Sequence, residues 1–418
     1  MKAIVFTQYG LPKGLELKEV PKPAPRDDEL LIRLHTSFIN SWDWEFLNGK
    51  PFINRLFYGL LKPRPGKQIL GSDVSGTVEA IGKFVIDRAK TITLLLLIGL
   101  LTSPVHALED ESGFWSLQIE NDLWGSKDDR FYTNGWQFSF SSPKSPPAYL
   151  EKISDYIPFY TKGETGYYGY ALGQKLFTPA NINTSELLVN DRPYAGWLFV
   201  ESFIGHRYFD RGDREKINGL ILMLGIVGPA SLGEQTQRAV HRMTSSDDPK
   251  GWDNQLEDEL GLNATFLQKW RYILDFDERL QSEVSLHTGL TLGNVYSYAS
   301  LGLMLRWGTY LKDDIGPPTI SPGFPGLPAF NINRRANWYL FAGLEARAVA
   351  HNIFLDGNTN VDSHSVDKEE LVGDLQIGVA IHAYDARISF SQMFRSEEFE
   401  GQPERTRYGL INFTLFIE

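Results

Sequence analysis

Two clusters of polar residues, far apart in the chain, carry the side-chain types from which a hydrolytic centre is built. The first is Glu120-Asn121-Asp122, followed by Asp128, Asp129 and Phe131-Tyr132-Thr133-Asn134-Gly135. An ionised Asp122 beside amide and hydroxyl oxygens is a donor set for a hard cation, because Ca2+ accepts carboxylate, amide and backbone oxygens together. An ordinary hairpin rich in Asp and Asn has the same composition. The second cluster, Gly233 to Arg242, reads as a short helix or helical turn following Gly228-Pro229. Gln237 and His241, four residues apart, would share one helical face. A near-neutral imidazole takes a proton from water, and the flanking Arg238 and Arg242 attract phosphate. Alone, His241, one of eight histidines, reads as structural rather than catalytic.

Such side chains need a scaffold, and the pattern after Ala107 is alternation. Trp115, Leu117 and Ile119 fall on one face and Ser116, Gln118 and Glu120 on the other, which is the period-two signature of a strand with unlike faces. The pattern returns at Trp136, Phe138 and Phe140 against Gln137 and Ser139. It returns again at Leu301 to Trp307, Leu375 to Ile381, and Ile411 to Leu415. By this parity Asp122 and Thr133 both face inward. A soluble sandwich with an apolar inner face and a membrane barrel with an apolar outer face both satisfy the pattern. The roughly 310 residues after Ala107 accommodate about a dozen strands. Polar or Pro- and Gly-rich stretches at 141–166, 312–337 and 351–373 are expected as long extracellular loops.

Composition excludes several classes. The chain has no cysteine, which removes disulfides, thiolate zinc sites and cysteine nucleophiles. A net charge of −11 argues against nucleic-acid binding, so any anionic ligand must meet a local basic cluster. Arg88 and Lys90 precede the apolar run Ile92 to Leu101, and Ser103-Pro104-Val105-His106-Ala107 follows. A positive flank, an apolar core of about ten residues and small residues at Val105 and Ala107 form a signal peptide with cleavage after Ala107. The run is short of the roughly 20 apolar residues of a membrane-spanning helix. A buried soluble helix is the alternative. Because an export signal normally starts a protein, the chain is expected to comprise an unrelated fragment (1–84), the signal peptide (85–107) and the exported domain (108–418).

Within the first 83 residues, MKAIVFTQYG, VPKPAP and GSDVSGTVEAIG resemble the start of medium-chain dehydrogenase/quinone reductases, ending midway through that family's GroES-like domain. No Gly-rich dinucleotide fingerprint follows. Asp43 stands where zinc-dependent members place a cysteine. Neither nicotinamide cofactor nor oxidoreductase activity is therefore expected.

Over nearly all of 108–418, END with YTNG, NDRPYAGW, GPASLGEQTQRAVHR, GWDNQLEDE, GNVYSYA, and NIFLDGNT with DSHSVDK resemble the lipid A 3′-O-deacylase family. The resemblance implies an all-β protein, a twelve-stranded antiparallel transmembrane β-barrel in the Gram-negative outer membrane, monomeric among outer-membrane lipids. It implies Ca2+-dependent removal of the 3′-linked acyloxyacyl group of lipid A or lipopolysaccharide. Carried over by matching, Asn121, Thr133, Gln237 and His241 are catalytic candidates and Asp122 is a metal ligand. Asp247, where some members have Glu, joins the substrate contacts. The interval 180–186, basic in some members, holds no Lys or Arg here, so phosphate contacts fall to Arg192, Arg238 or Arg242. His241 is expected to activate water while Ca2+ at Asp122 stabilises the oxyanion. No G-x-S-x-G elbow supports the competing Ser-His-Asp chemistry. A non-catalytic barrel, structural or channel-forming, is the reading from another class. Asp356, Asn358 and Asn360 suggest a Ca2+ loop, but Val361 and Asp367 replace the Gly and Glu it needs, so a polar loop is expected. Asp122 and His241 are expected to converge on a cleft inside the barrel.

Overall fold

The computed structural model describes residues 112–124 and 130–417 apart from 145, 157–159, 161, 163, 164, 210–214, 245, 321 and 325–335, together with 2–10, 12, 15–20, 22, 30–38, 44, 47, 48, 62, 63, 69 and 73–81. The expected signal peptide (85–107) lies outside the described residues, as do Asp43, Asp128 and Asp129. The chain forms two units, Met1–Leu101 and Thr102–Glu418. In the first, β1 (Lys2–Phe6) pairs antiparallel with β2 (Leu15–Glu19), and β3 (Leu30–Phe38) with β4 (Asp73–Ile81). These two separate ribbons do not identify the expected GroES-like fragment.

The second unit is a closed antiparallel barrel of twelve strands: β5 (Gly113–Asn121), β6 (Phe131–Ser142), β7 (Thr165–Thr178), β8 (Ala195–Phe209), β9 (Glu215–Val227), β10 (Glu259–Asp275), β11 (Leu280–Gly293), β12 (Tyr296–Thr309), β13 (Asn337–Asn352), β14 (Leu371–Ala383), β15 (Ala386–Arg395) and β16 (Thr406–Ile417). Each pairs with its neighbour in sequence, and β16 closes on β5 from Gly409↔Asn121 to Ile417↔Gly113. Closure leaves no unpaired edge. Alternation sorts the faces as the sequence indicates. Leu117, Phe138, Leu301, Ile377 and Phe413 are exposed on the outside, whereas Ser116, Gln118, Gln376, Asn412 and Thr414 are buried in the lumen. An apolar exterior around a polar interior is the arrangement for strands surrounded by hydrocarbon.

Antiparallel strands send successive connections to opposite ends, which corrects the loop assignment. Connections 143–164 and 310–336 lie at the end that holds Gly113 and Ile417, and the 353–370 connection lies at the other end with 122–130, 228–258 and 396–405. The three long stretches therefore cannot all be extracellular.

After β12 the chain turns into the lumen. The Asp314 carboxylate accepts from Arg387 at 2.8 Å and from Tyr339 at 3.2 Å, and its carbonyl accepts from Arg271 at 2.9 Å and Arg306 at 2.7 Å. Further on, the Ile320 N–H donates to Glu120 Oε1 at 2.9 Å, near the opposite end of β5, so this segment crosses most of the barrel. Glu283 pairs with both Arg271 and Arg306 below it, and Asp374 with Arg347 and Arg395 above. A cavity of about 90 Å³ lies between segment and wall, lined by Gln137, Glu201, Lys269, Thr319 and Glu345 among others.

Candidate active site

The first cluster sits where β5 and β6 reach the end of the barrel opposite the termini. Asn121 Nδ2 donates to the Thr133 carbonyl at 3.2 Å, and Thr133 Oγ1 lies 2.6 Å from Thr178 Oγ1. Counting back from Trp136 places Thr133 inside, but the β6–β7 register shifts between Tyr132 and Asn134. The extra residue turns Tyr132 into the lumen, where its hydroxyl donates to Glu120 Oε2 at 2.7 Å and its ring meets Tyr408 edge-on. Thr133 is thereby swung to the outer face, beside Thr178. Asp122 opens a single 3-10 turn, is buried, and accepts the Arg130 N–H at 2.7 Å.

Leu172, Gln174, Leu176 and Thr178 share the outer face of β7. Leu172 is 42% exposed, as a membrane-facing residue should be, yet Gln174, Leu176 and Thr178 are buried. What covers part of this face belongs to the β9–β10 connection. After the short helix α1 (Ala148–Ser154) between β6 and β7, the second helix, α2 (Gly233–Thr244), packs against the wall at β7 and β8. Close approach requires glycine on both surfaces. A Cβ on Gly233 would stand 2.8 Å from the Trp252 ring, 3.0 Å from Leu176 and 3.1 Å from Gly196 Cα, and one on Gly196 would strike Ser231 Oγ. Trp136 Nε1 donates to Gln174 Oε1 at 3.0 Å, and Gln174 Nε2 to the Ser231 carbonyl at 2.6 Å, tying the chain ahead of α2 to the wall. Glu234 in the first turn of α2 and Arg242 in the last suit its dipole.

Gln237 and His241, one turn apart on α2, are both buried. His241 Nδ1 makes a short hydrogen bond to the main-chain carbonyl of Asp247. A carbonyl only accepts, so Nδ1 carries the hydrogen, and in the neutral imidazole the lone pair of a base is on Nε2. The Asp247 side chain is exposed; the residue meets His241 through its backbone. Trp252 Nε1 donates to Gln237 Oε1 at 2.8 Å. Arg238 is engaged by Glu234 at 2.9 Å, while Arg242 is exposed and donates to the Arg238 carbonyl at 3.2 Å. Sequence reasoning passed over Thr178 and Trp252. The only signal for Trp252 was a large aromatic inside an otherwise polar loop motif.

Two expectations change. Thr133, beside Thr178, and helix α2 with Gln237 and His241 lie on the outer face of the wall rather than in a cleft inside the barrel. Arg192 is fully buried, paired with Glu398 at 3.3 Å and stacked 4.7 Å over Phe177, so it would meet a phosphate only if that pair opened. Its neighbour Asp191 accepts the Ala180 N–H at 2.7 Å and fixes the turn.

Asp122, Asn121 and Thr133 offer a buried carboxylate with amide, hydroxyl and main-chain oxygens, a set whose chemistry suits a hard cation. Among the described residues no three His, Asp or Glu side chains form a metal cage, so an ion here would complete its shell with neutral oxygens. The loop 353–370 is pinned otherwise: Asp356 accepts from the Asn352 N–H and from Lys368, and faces His351 at 3.0 Å. Burial opposes ionisation of Asp356, but these partners outweigh it and hold its carboxyl below the ordinary range.

Comparison with known proteins follows the two units. The sequence model of the LpxR family, described as an outer membrane protein, matches residues 94–417. Among solved structures the chain is similar to LpxR from Salmonella typhimurium, with 19% identity and a TM-score of 0.58, covering 73% of this chain and 100% of that one. At that identity the likeness shows the fold. The quinone-oxidoreductase QR1 of Triphysaria versicolor is 36% identical over 88 residues, and the chloroplast envelope quinone oxidoreductase homolog of Arabidopsis thaliana 32% over 88. In each case the match covers 20% of this chain and 24% of the other. The chain thus spans about a quarter of the length of those curated relatives.

Proposed function

Since the chain belongs to the LpxR family of outer membrane proteins, we propose that its barrel is a lipid A 3′-O-deacylase working from the outer leaflet of the outer membrane. The observation that carries this reading is a buried His241, with Nδ1 committed to a main-chain carbonyl, on a helix held against the outside of the barrel. A lipid in the leaflet can reach a site on the outer wall by lateral diffusion. A lumenal site would demand that the lipid leave the membrane. The lumen itself holds the 314–320 segment and its ion pairs, which speaks against the channel reading.

In the proposed reaction His241 Nε2 removes a proton from water as the water oxygen attacks the ester carbonyl carbon. The tetrahedral intermediate then collapses, the carbon–oxygen bond to the sugar breaks, and the imidazolium returns its proton to the departing alkoxide. The products are the free acyloxyacyl carboxylic acid and a 3′-hydroxyl on lipid A. Asn121, Thr133 and Gln237 orient water and substrate. Ca2+, which Asp122 would hold with Asn121 and Thr133, supplies positive charge to the ester carbonyl when bound. Arg238 and Arg242, at the exposed side of α2, supply positive charge for the lipid A phosphates. Purified protein incubated with lipid A should yield a product lighter by the 3′ group alone; loss of acyl chains from other positions would refute the regiochemistry.

The chain organisation is proposed on the sequence reading: an oxidoreductase-like fragment at 1–84 without nicotinamide chemistry, a signal peptide at 85–107 and a monomeric mature barrel from 108. The N-terminus of protein recovered from outer membranes tests it. Leu108 is expected; a chain still beginning at residue 1 would contradict it.

A further inference from the structure

The amide of Gln237 has one orientation that its neighbour permits. Indole Nε1 carries a hydrogen and no lone pair, so the Gln237 atom 2.8 Å from Trp252 Nε1 is the amide oxygen. The amide nitrogen is thereby turned away from Trp252. It is buried and makes no hydrogen bond among the described residues, a state that proteins rarely retain without a use. His241, four residues on, occupies the same face of α2.

Trp252 is itself held firmly. Its side chain is 1% exposed, its ring centroid lies 5.1 Å from that of Tyr194, and Gly233 leaves it the room a Cβ would take. The loop that carries Trp252 enters no step of the reaction above, yet it fixes a buried donor pair one helical turn from the base.

We propose that Trp252 is a positioning residue of the hydrolytic centre, anchoring Gln237 Oε1 so that the Nε2 hydrogens meet the scissile ester carbonyl as negative charge develops on its oxygen. This rests on the hydrolase reading. A donor aimed at an oxyanion acts in the transition state more than in the ground state, so its loss lowers kcat and leaves KM nearly unchanged.

The test uses the full chain in detergent micelles with lipid A, acyl release followed by mass spectrometry, and heat-modifiable migration as the check on folding. Trp252→Phe keeps an aromatic ring and removes the N–H; kcat should fall about 10- to 100-fold with KM within about threefold. Gln237→Glu still accepts from Trp252 but presents oxygen in place of NH2, and should fall at least about 100-fold. In the Gln237→Ala background, Trp252→Phe should cost nothing more, because its effect passes through the amide. Multiplicative losses in that cycle, or wild-type kcat in either single variant, would overturn the proposal. If Trp252→Phe does not fold, Gln237→Glu, an isosteric change, decides alone. Wild-type acyl release alongside any of those outcomes leaves the hydrolase standing, whereas no release by the wild type sinks the hydrolase and this inference together.

Discussion

The imidazole of His241 gives its Nδ1 hydrogen to the main-chain carbonyl of Asp247 and not to a carboxylate. The base is therefore oriented by a backbone group, which stays neutral at every pH and survives side-chain substitution at 247. His241→Ala should lower the rate of acyl release by about 10²- to 10⁴-fold, the usual range for a lost general base. Asp247→Ala should change it less than about threefold. Steady-state kinetics on both variants would check this, and equal losses would show that the carboxylate matters.

Metal removal is the second prediction. With Asp122 as the only charged oxygen ligand proposed, EDTA should abolish acyl release and added Ca2+ restore it. Asp122→Asn should raise the Ca2+ concentration needed for half-maximal rate by at least about tenfold, since a hard cation loses its one anionic donor. A calcium titration of activity for both proteins measures this.

Glycine at 196 and 233 lets α2 lie against the barrel. A methyl group at 233 meets the Trp252 ring and one at 196 the Ser231 hydroxyl, and either should lift the helix, displacing His241 and Gln237 together. We expect Gly233→Ala to reduce activity at least about tenfold, because small misplacements of reacting groups are costly, while barrel folding judged by heat-modifiable migration is retained. Wild-type activity would show that the helix need not seat so closely.

Asp314 anchors the segment that crosses the lumen through Arg387, Arg306 and Tyr339. Removing its carboxylate takes the Asp314 ion pair from buried Arg387, while Arg306 keeps Glu283; breaking a buried pair costs about 3–5 kcal/mol in comparable cases. Asp314→Ala should lower the temperature at which the barrel loses its compact migration. It should also produce conductance in planar bilayers where the wild type shows none. A conducting wild type would revive the channel reading.

Asp356 gives a pH prediction with a definite sign. Its folded-state pKa lies below the unfolded value, so its contribution is fully present at neutral pH and is lost as pH falls through the carboxylate range. Hydrogen exchange in the 353–370 loop, corrected for intrinsic rates, should rise on acidification. In Asp356→Asn it should already be high at pH 7.

Much of the fold was legible because alternation is a local property: Ser116, Gln118 and Glu120 against Trp115, Leu117 and Ile119 named the two faces of β5 correctly. Thr133 was misplaced because a single inserted residue reverses parity, and nothing in Tyr132-Thr133-Asn134 marks the insertion. The inward turn at Asp314 was hidden because a Pro- and Gly-rich stretch reads as a loop whether it faces water or fills a lumen. Helix α2 and its Gln237–His241 face were readable from spacing. Its seat on the outer wall was not, because that depends on Gly196, brought to Gly233 only by the tertiary structure.

The most direct test of the hydrolytic centre is acyl release from lipid A by the purified full chain, with wild type and His241→Ala assayed side by side by mass spectrometry. Wild type should convert lipid A to a species lacking the 3′-acyloxyacyl group, with the free acid appearing in equal amount, while His241→Ala leaves the substrate intact. Unchanged lipid A with the wild type, or equal conversion by the two proteins, would contradict the assignment.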